Sequence, residues 1–189
     1  MAILINQELW ADAGHHLADP GAVYNGRTEF EEMRCFRTLV VDEYKKLGGE
    51  VYHDLDHETN AQFQGRMKTN RGSVVVSFHL NASANPGANG SECVISDNAS
   101  ANSKALAVEL LDVTCEILGT RKRRVLKESE TPRKRLGILN KPGMAVLVEI
   151  CFLSSLEDMA KFDKNKSALA RAYAKIIKRY DDLLKIDGR

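Results

Sequence analysis

The stretch VVVSFHLNAS, residues 74–83, decides the fold of this chain. Its three consecutive valines form a short, β-branched, apolar run, which predicts a strand buried on both faces in the middle of a sheet. His79 ends this run, and a small polar segment rich in Asn, Ala, Pro and Gly follows. Functional groups of open α/β sheets gather where strands end and loops begin. His79 is therefore a candidate site residue, although a single histidine in such a place is more often structural.

Apolar periodicity predicts further strands and helices on both sides of this run. A second apolar run, Ala145–Val148, also predicts a central strand, and it ends at Glu149. A helix is expected to begin at the N-cap Thr28, with Glu31 completing a capping box. The other predicted elements are helices at 61–70, 103–118 and 166–184 and short strands at 3–5, 9–11, 51–52, 92–96 and 136–139. This alternation predicts one α/β domain.

Composition excludes several classes of function. The chain has 189 residues, of which 43% are hydrophobic, enough for one soluble domain with an adequate core. It carries 27 basic and 26 acidic residues, a balance that offers no general argument for binding nucleic acid. No apolar run has membrane-spanning length, so no membrane insertion is expected. The N-terminus lacks a basic region and a long apolar stretch, so we expect synthesis in the cytoplasm without a signal peptide.

Three further features have structural interpretations. The four cysteines lie far apart without a C-x-x-C pair, so we expect buried, reduced thiols that are poor zinc ligands. Residues 121–135 are mostly basic, which predicts a solvated connection, with contact to a polyanion as the alternative. His53 and His57 lie among acidic residues, where a solvated loop is favoured over a second metal site.

Four groups at the ends of predicted elements could form a catalytic site. His15 follows a strand, Glu29 begins a helix, and His79 and Glu149 each end an apolar run. Two histidines and one carboxylate are a familiar ligand set for catalytic zinc, and a second carboxylate can act as general base. The groups lack the compact spacing of H-E-x-x-H. Spacing alone therefore leaves a metal hydrolase as one interpretation, beside simple helix-dipole compensation by Glu29.

Four ordered motifs resemble the catalytic domain of the zinc-dependent N-acetylmuramoyl-L-alanine amidases, which cut bacterial peptidoglycan and include bacterial autolysins and phage endolysins. The motif DAGH at 12–15, with DPGA at 19–22, matches the opening motif, whose histidine binds zinc. Glu29 matches the acidic ligand, and SFHLNA at 77–82 matches the motif of the second zinc histidine. VEICFLS at 148–154 matches the segment with the catalytic glutamate. The resemblance covers nearly the whole chain.

The resemblance implies a twisted, mostly parallel central sheet flanked by helices, and one catalytic domain over residues 1–189 without a separate wall-binding domain. It implies one zinc ion held by His15, Glu29 and His79, Glu149 as the catalytic base, and Asn81 as a substrate contact. The implied partner is bacterial peptidoglycan, cut between N-acetylmuramic acid and L-alanine. Without a signal peptide, such an enzyme is expected to act at the cell wall after release.

Departures from the family pattern concern substrate fit more than chemistry. His16 and Leu17 replace a usual glycine pair, Cys151 replaces a frequent glycine, and His53-Asp54 replaces a usual Thr-Arg pair. His16 is also an alternative ligand, although matching to the motif favours His15. Two rival functions stay open at this point. They are another zinc amide hydrolase, such as a carboxypeptidase, and a non-catalytic peptidoglycan-binding module on the same fold.

Overall fold

The valine run lies in the middle of a six-stranded sheet in the computed structural model, which describes residues 8–186. The strands are β1 (Leu9–Asp12), β2 (Val23–Tyr24), β3 (Arg27–Thr28), β4 (Val51–His53), β5 (Val74–Asn81), β6 (Ser91–Ile95), β7 (Lys122–Lys127) and β8 (Met144–Phe152). The helices are α1 (Glu29–Lys46), α2 (Asn60–Arg66), α3 (Ala101–Leu118) and α4 (Leu156–Ile186), with 3-10 turns at Glu128–Glu130 and Gly137–Asn140.

The sheet is mostly parallel, as the resemblance implies. Its strand order is β4-β1-β5-β8-β6-β7. The first four strands run in one direction, and β6 and β7 run together in the opposite one, so that β6 and β8 form the antiparallel pair. The short β2 and β3 pair separately as an antiparallel ribbon ahead of α1. Strands β5 and β8 therefore lie side by side at the centre.

Both faces of the sheet are covered, which explains the unbroken valine run. Val74 and Val76 pack into a large core formed with α1, α3 and α4, whereas Val75 faces a smaller core on the opposite side. Phe63 of α2 and Ile138 of the second 3-10 turn belong to that smaller core. Side chains on either face of β5 thus meet apolar neighbours, and the three successive valines are all fully buried.

The two central strands extend beyond the ends predicted from the sequence. His79 and Glu149 lie inside β5 and β8, which extend to Asn81 and Phe152. On β5 the residues at 78 and 80 stay buried in the large core while their polar neighbours face the other side. Successive side chains of a strand point to opposite faces of the sheet. The strand can therefore continue beyond the valines while apolar and polar residues alternate along it.

Other local predictions need correction. The strand predicted at 136–139 is the 3-10 turn Gly137–Asn140, and the predicted solvated connection contains edge strand β7, whose charged side chains suit a sheet edge. Helix α4 begins at Leu156, ten residues before the predicted start, and α2 ends at Arg66. Cys35 is exposed rather than buried. The strand predicted at 3–5 lies outside the described residues.

The described residues contain no helix whose length and apolar character would let it cross a membrane.

Candidate metal centre

The structure brings His15, Glu29, His79 and Glu149 to one cavity of about 450 Å³ on the smaller-core side of the sheet. His15 follows β1, Glu29 is the first residue of α1, and the other two lie on adjacent strands as register partners. In parallel strands the carboxyl ends share one edge of the sheet, and this edge is where α/β proteins bind ligands.

Glu29 bridges the two histidines. Its Oε2 lies 3.2 Å from Nε2 of His15, and its Oε1 lies 2.8 Å from Nδ1 of His79. One ligand atom from each of the three side chains falls within 4.8 Å of the others, so that the group could hold a metal ion. His15 and Glu29 are 7% and 5% exposed. Because a buried carboxylate is costly without partners, so many contacts to one glutamate indicate a built site.

Backbone groups from one loop and from strand β5 hold the Glu29 carboxylate in place. Its Oε2 accepts a hydrogen bond from the backbone N–H of Ala22, and its Oε1 accepts one from that of Leu80. Thr28 caps the helix by accepting from the N–H of Glu31. The Glu31 carboxylate accepts from the Thr28 hydroxyl rather than the backbone N–H expected for a full capping box. Glu29 thereby also sits at the positive end of the α1 dipole.

Two glycines allow this close packing. Gly14 has φ +73°, and a Cβ there would lie 2.4 Å from the His79 ring. Gly21 has φ +65°, and a Cβ there would lie 2.7 Å from both the Glu29 carboxylate and the His15 ring. Residues with a side chain rarely adopt this left-handed backbone conformation, whereas glycine adopts it without a steric penalty. The turn residues of both opening motifs therefore let the loops approach the three clustered side chains.

The charges of the cluster stabilise one another. Burial alone would lower the pKa of His15, but contacts to Glu29 and Asp19 outweigh it and raise that pKa to about 9. Burial likewise opposes ionisation of Glu29, yet both histidines bring its pKa well below the ordinary value. The carboxylate is therefore ionised at neutral pH, as a metal ligand must be.

Asp19 orients the first histidine. Its Oδ2 lies 2.9 Å from Nδ1 of His15, which leaves Nε2 facing Glu29. Histidines that bind metals commonly use one ring nitrogen as ligand and donate the other N–H to a carboxylate, which sets the tautomer. In the sequence Asp19 stands out only as part of the DPGA motif, which does not predict this contact. The spacing of four residues within one turn is the signal that could have identified it.

Glu149 has the character of a general base. Its Oε2 is buried and has no hydrogen-bond partner within the part of the chain that the structure describes. Burial raises its pKa to about 7, and the nearby Glu29 and Glu92 charges add to the increase while His79 opposes it. A carboxyl group with a pKa near the working pH can both accept and return a proton.

Asn81 and Glu92 form a polar network beside this carboxyl. The Asn81 amide Nδ2 donates to Oε1 of Glu92 at 2.8 Å, and Nε of Arg123 donates to Oε2 at 2.7 Å. Glu149 has two register partners, which are Glu92 on β6 and His79 on β5. Asn81 lines the cavity, and one side of its amide is already engaged by Glu92.

A second buried network supports the loop that carries His15. Asp54 accepts a hydrogen bond from the backbone N–H of Ala13 at 3.1 Å and pairs with Arg37 at 2.5 Å. Asp12 accepts from the Ser77 hydroxyl at 2.6 Å, which ties β1 to β5 in the wall of the cavity. The stretch around Asp54, expected to be a solvated loop, thus contains a buried ion pair. The sequence could not reveal this ion pair because Arg37 lies on α1, 17 residues from Asp54 along the chain.

The other histidines do not join the cluster. His16 is half-buried, and its Nδ1 accepts a hydrogen bond from the backbone N–H of Ala18. Nδ1 of His53 contacts the carbonyl oxygen of Asp54, and His57 is exposed. The geometry thus favours His15 over its neighbour as a metal ligand. It also leaves the 53–57 segment without a metal-binding group of three among the described residues.

Comparison with known proteins identifies the family of the chain. The family model described as N-acetylmuramoyl-L-alanine amidase matches residues 10–179, so the chain belongs to that family of enzymes. No curated protein matches the chain.

Solved structures of amidases share the fold. An N-acetylmuramoyl-L-alanine amidase from Clostridium difficile 630 has a TM-score of 0.78 at 22% identity, over 94% of this chain and 98% of that one. The amidase AmiC2 of Nostoc punctiforme has a TM-score of 0.75 at 22% identity, over 92% and 96% of the two chains. The catalytic domain of the CD27L endolysin, which targets Clostridia difficile, has a TM-score of 0.67 at 22% identity, over 92% and 98%.

Proposed function

We propose that this amidase is a zinc-dependent hydrolase that cleaves the amide bond between N-acetylmuramic acid and L-alanine in bacterial peptidoglycan. His15, Glu29 and His79 hold one zinc ion, and Glu149 is the catalytic base. The observation that carries the proposal is the clustering of these three side chains beside a buried carboxyl oxygen that has no other partner.

The donor set suits zinc. Two imidazoles and one carboxylate are borderline-to-hard nitrogen and oxygen donors, and three protein ligands are typical of catalytic rather than structural zinc sites. Burial of His15 and Glu29 fits such a site, since buried ionisable groups in proteins are normally paired or metal-bound. When bound, the ion would act as a Lewis acid towards the scissile carbonyl and acidify a coordinated water.

Glu149 supplies the proton chemistry. Its unpartnered oxygen can accept a proton from the water that attacks the amide carbonyl. Because its pKa is raised to about 7, the protonated form is then acidic enough to pass that proton to the departing amine of L-alanine. Because the same group removes the proton from water and returns it to the nitrogen, L-alanine leaves as an amine. It need not leave as an amide anion, which is a poor leaving group.

The surrounding residues hold the reacting groups in place. The N–H groups of Ala22 and Leu80 fix the Glu29 carboxylate, and Asp19 fixes the His15 ring. Asn81 stays a predicted substrate contact, because it lines the cavity next to the Glu149 strand. We place the enzyme's action at the bacterial cell wall, where its polymer substrate lies.

Product analysis tests the reaction. Purified protein supplied with zinc is incubated with peptidoglycan, and the released ends are identified by mass spectrometry. We expect stem peptides with a free L-alanine amine and intact glycan strands. Cuts within the peptide would instead indicate another zinc amide hydrolase, and zinc binding without any cleavage would indicate a non-catalytic wall-binding module.

Glu149→Gln tests the assignment of the base. The variant keeps the size and one acceptor oxygen of the side chain but cannot take up a proton at neutral pH. We expect zinc content equal to that of the wild type, measured by atomic emission, and hydrolysis reduced by about 10²- to 10⁴-fold. Activity close to that of the wild type would remove Glu149 from the mechanism.

A further inference from the structure

The cavity has a basic wall that the reaction described above does not use. A short loop at residues 131–136, called the arginine loop here, follows the first 3-10 turn and leads into the second. Its residues Arg133 and Arg135 line the same cavity as His15, His79 and Glu149. Both arginines belong to the basic stretch 121–135, whose composition predicts a solvated connection.

Among the described residues, neither guanidinium group has a partner of its own. Across residues 8–183, whose side chains the structure describes, no hydrogen bond or ion pair involves the side chain of Arg133 or Arg135. Arg123, from the same basic stretch, is fully engaged by Glu92, by the carbonyl oxygen of Asn89 and by the ring of Phe152. The two loop arginines are therefore the ones free to meet a ligand in the cavity.

The backbone of the arginine loop is fixed, although its side chains are exposed. The buried carboxylate of Glu128 accepts hydrogen bonds from the N–H of Leu136 at 2.6 Å and from the Asn140 amide at 3.0 Å. The Thr131 hydroxyl donates to the Glu128 carbonyl oxygen, and Lys134 takes a left-handed φ of 60°. These contacts pin both ends of the loop, so the two arginines enter the cavity from a preorganised backbone, which reduces the ordering cost of binding.

The chemistry of the substrate selects the ligand. In the muramoyl–alanine bond the lactyl carboxyl group is already consumed by the amide, and N-acetylated sugars are neutral. The peptide on the other side of the bond carries the carboxylates. Arginine is suited to carboxylates because its planar group donates two parallel hydrogen bonds to the two oxygens.

We propose that Arg133 and Arg135 form a carboxylate-binding subsite for the peptide part of the substrate and make the enzyme prefer a stem with a free carboxylate near the scissile bond. This inference rests on the proposed function. The subsite would determine specificity, because a stem peptide with a carboxamide in place of that carboxylate offers no negative charge to the two arginines.

Two synthetic substrates test the subsite. Both are N-acetylmuramoyl-L-Ala-D-Glu-L-Lys with an amidated C-terminus, in which D-Glu is joined to L-Lys through its γ-carboxyl. They differ only in a free or an amidated α-carboxyl on this D-Glu. The variants are Arg133→Gln with Arg135→Gln, and Arg121→Gln as the matched control. Arg121 belongs to the same basic stretch and is exposed, but it does not line the cavity.

We expect wild-type kcat/KM to be higher on the carboxylate substrate. The double variant should lose roughly 10- to 100-fold on that substrate, mainly through KM, and change little on the carboxamide. The Arg121 control should match the wild type on both. An equal loss on both substrates, or no loss on either, would overturn the proposal.

Binding of the product peptide separates this proposal from the reaction itself. Chemical-shift titration uses the free peptide L-Ala-D-Glu-L-Lys-amide, again joined through the γ-carboxyl of D-Glu, and its α-carboxamide counterpart, and it needs no turnover. Tighter binding of the carboxylate peptide by the wild type, lost in the double variant and kept in the control, supports the subsite even if neither substrate is cleaved. Equal binding of the two peptides refutes the subsite even if the amidase reaction is confirmed.

Discussion

Replacing Arg37 by methionine should destabilise the protein by about 3 to 5 kcal/mol. Both side chains of the Arg37–Asp54 pair are 5% exposed, and Nη1 of Arg37 lies 2.5 Å from Oδ2 of Asp54. Methionine fills much of the arginine volume but leaves the Asp54 carboxylate buried without its cation. For a chain of this length each kcal/mol changes Tm by about 2 to 4 °C, so Tm should fall by roughly 6 to 20 °C.

The loss should depend on pH in a definite direction. Burial and the neighbouring Asp12 charge already raise the pKa of Asp54 from 3.8 to about 6, while Arg37 opposes the increase. Removing Arg37 raises this pKa further. A carboxyl group that binds its proton more tightly in the folded state contributes most to stability below its unfolded pKa, and that contribution is lost as the pH rises through the folded pKa. The deficit of the variant should therefore be larger at pH 8 than at pH 5.

Urea unfolding followed by circular dichroism at both pH values measures this deficit. Arg34→Met is the control, since Arg34 pairs with Asp56 at 3.3 Å and both side chains are more than 40% exposed. That surface pair should contribute less than about 1 kcal/mol. Adding Asp54→Asn to Arg37→Met removes the stranded charge and should recover much of the loss. A deficit under about 1 kcal/mol at both pH values, or no recovery in the double variant, would refute the reasoning.

Two further substitutions address the metal centre. Asp19→Ala removes the carboxylate beside His15 and should weaken zinc binding by about 10- to 100-fold, measured by competition with a chelating dye; an unchanged affinity would show that Asp19 does not orient the ring. Gly14→Ala should lower zinc affinity and turnover because the added methyl group meets the His79 ring, whereas Gly26→Ala, at a similar φ of +76° with nothing within 4 Å, should cost stability alone. Equal effects of the two alanines on zinc affinity would contradict this steric argument.

Local patterns account for the parts of the fold that the sequence could predict. The valine run, the Thr28 cap and the apolar periodicity of α1 and α3 depend on residues a few positions apart, and all four occur in the structure. The extension of β5 to Asn81 is harder to predict. Polarity at alternate positions on a strand has the same local appearance as the start of a loop, and only the neighbouring strand β8 distinguishes them.

Long-range pairs account for what the sequence could not predict. The Arg37–Asp54 pair, the Asn81–Glu92 contact and the Glu128 anchor each join groups that no periodicity relates. A basic stretch between two predicted elements is normally solvated, and its composition does not reveal that part of it is an edge strand and part lines a cavity. Such information exists only after the sheet has brought the segments together.

The candidate site shows why a motif can identify a family before it identifies a mechanism. His15, Glu29 and His79 come from a loop, a helix terminus and a strand, and the contact between Glu29 and His79 spans 50 residues of sequence. Their motifs predict which residues belong to the site. The distances add the order of contacts, with Glu29 bridging two rings that are packed closely against Gly14 and Gly21. A bridging carboxylate at the N-terminus of α1 contacts both the loop after β1 and the central strand β5, so the contacts that assemble the candidate metal site also join these three elements.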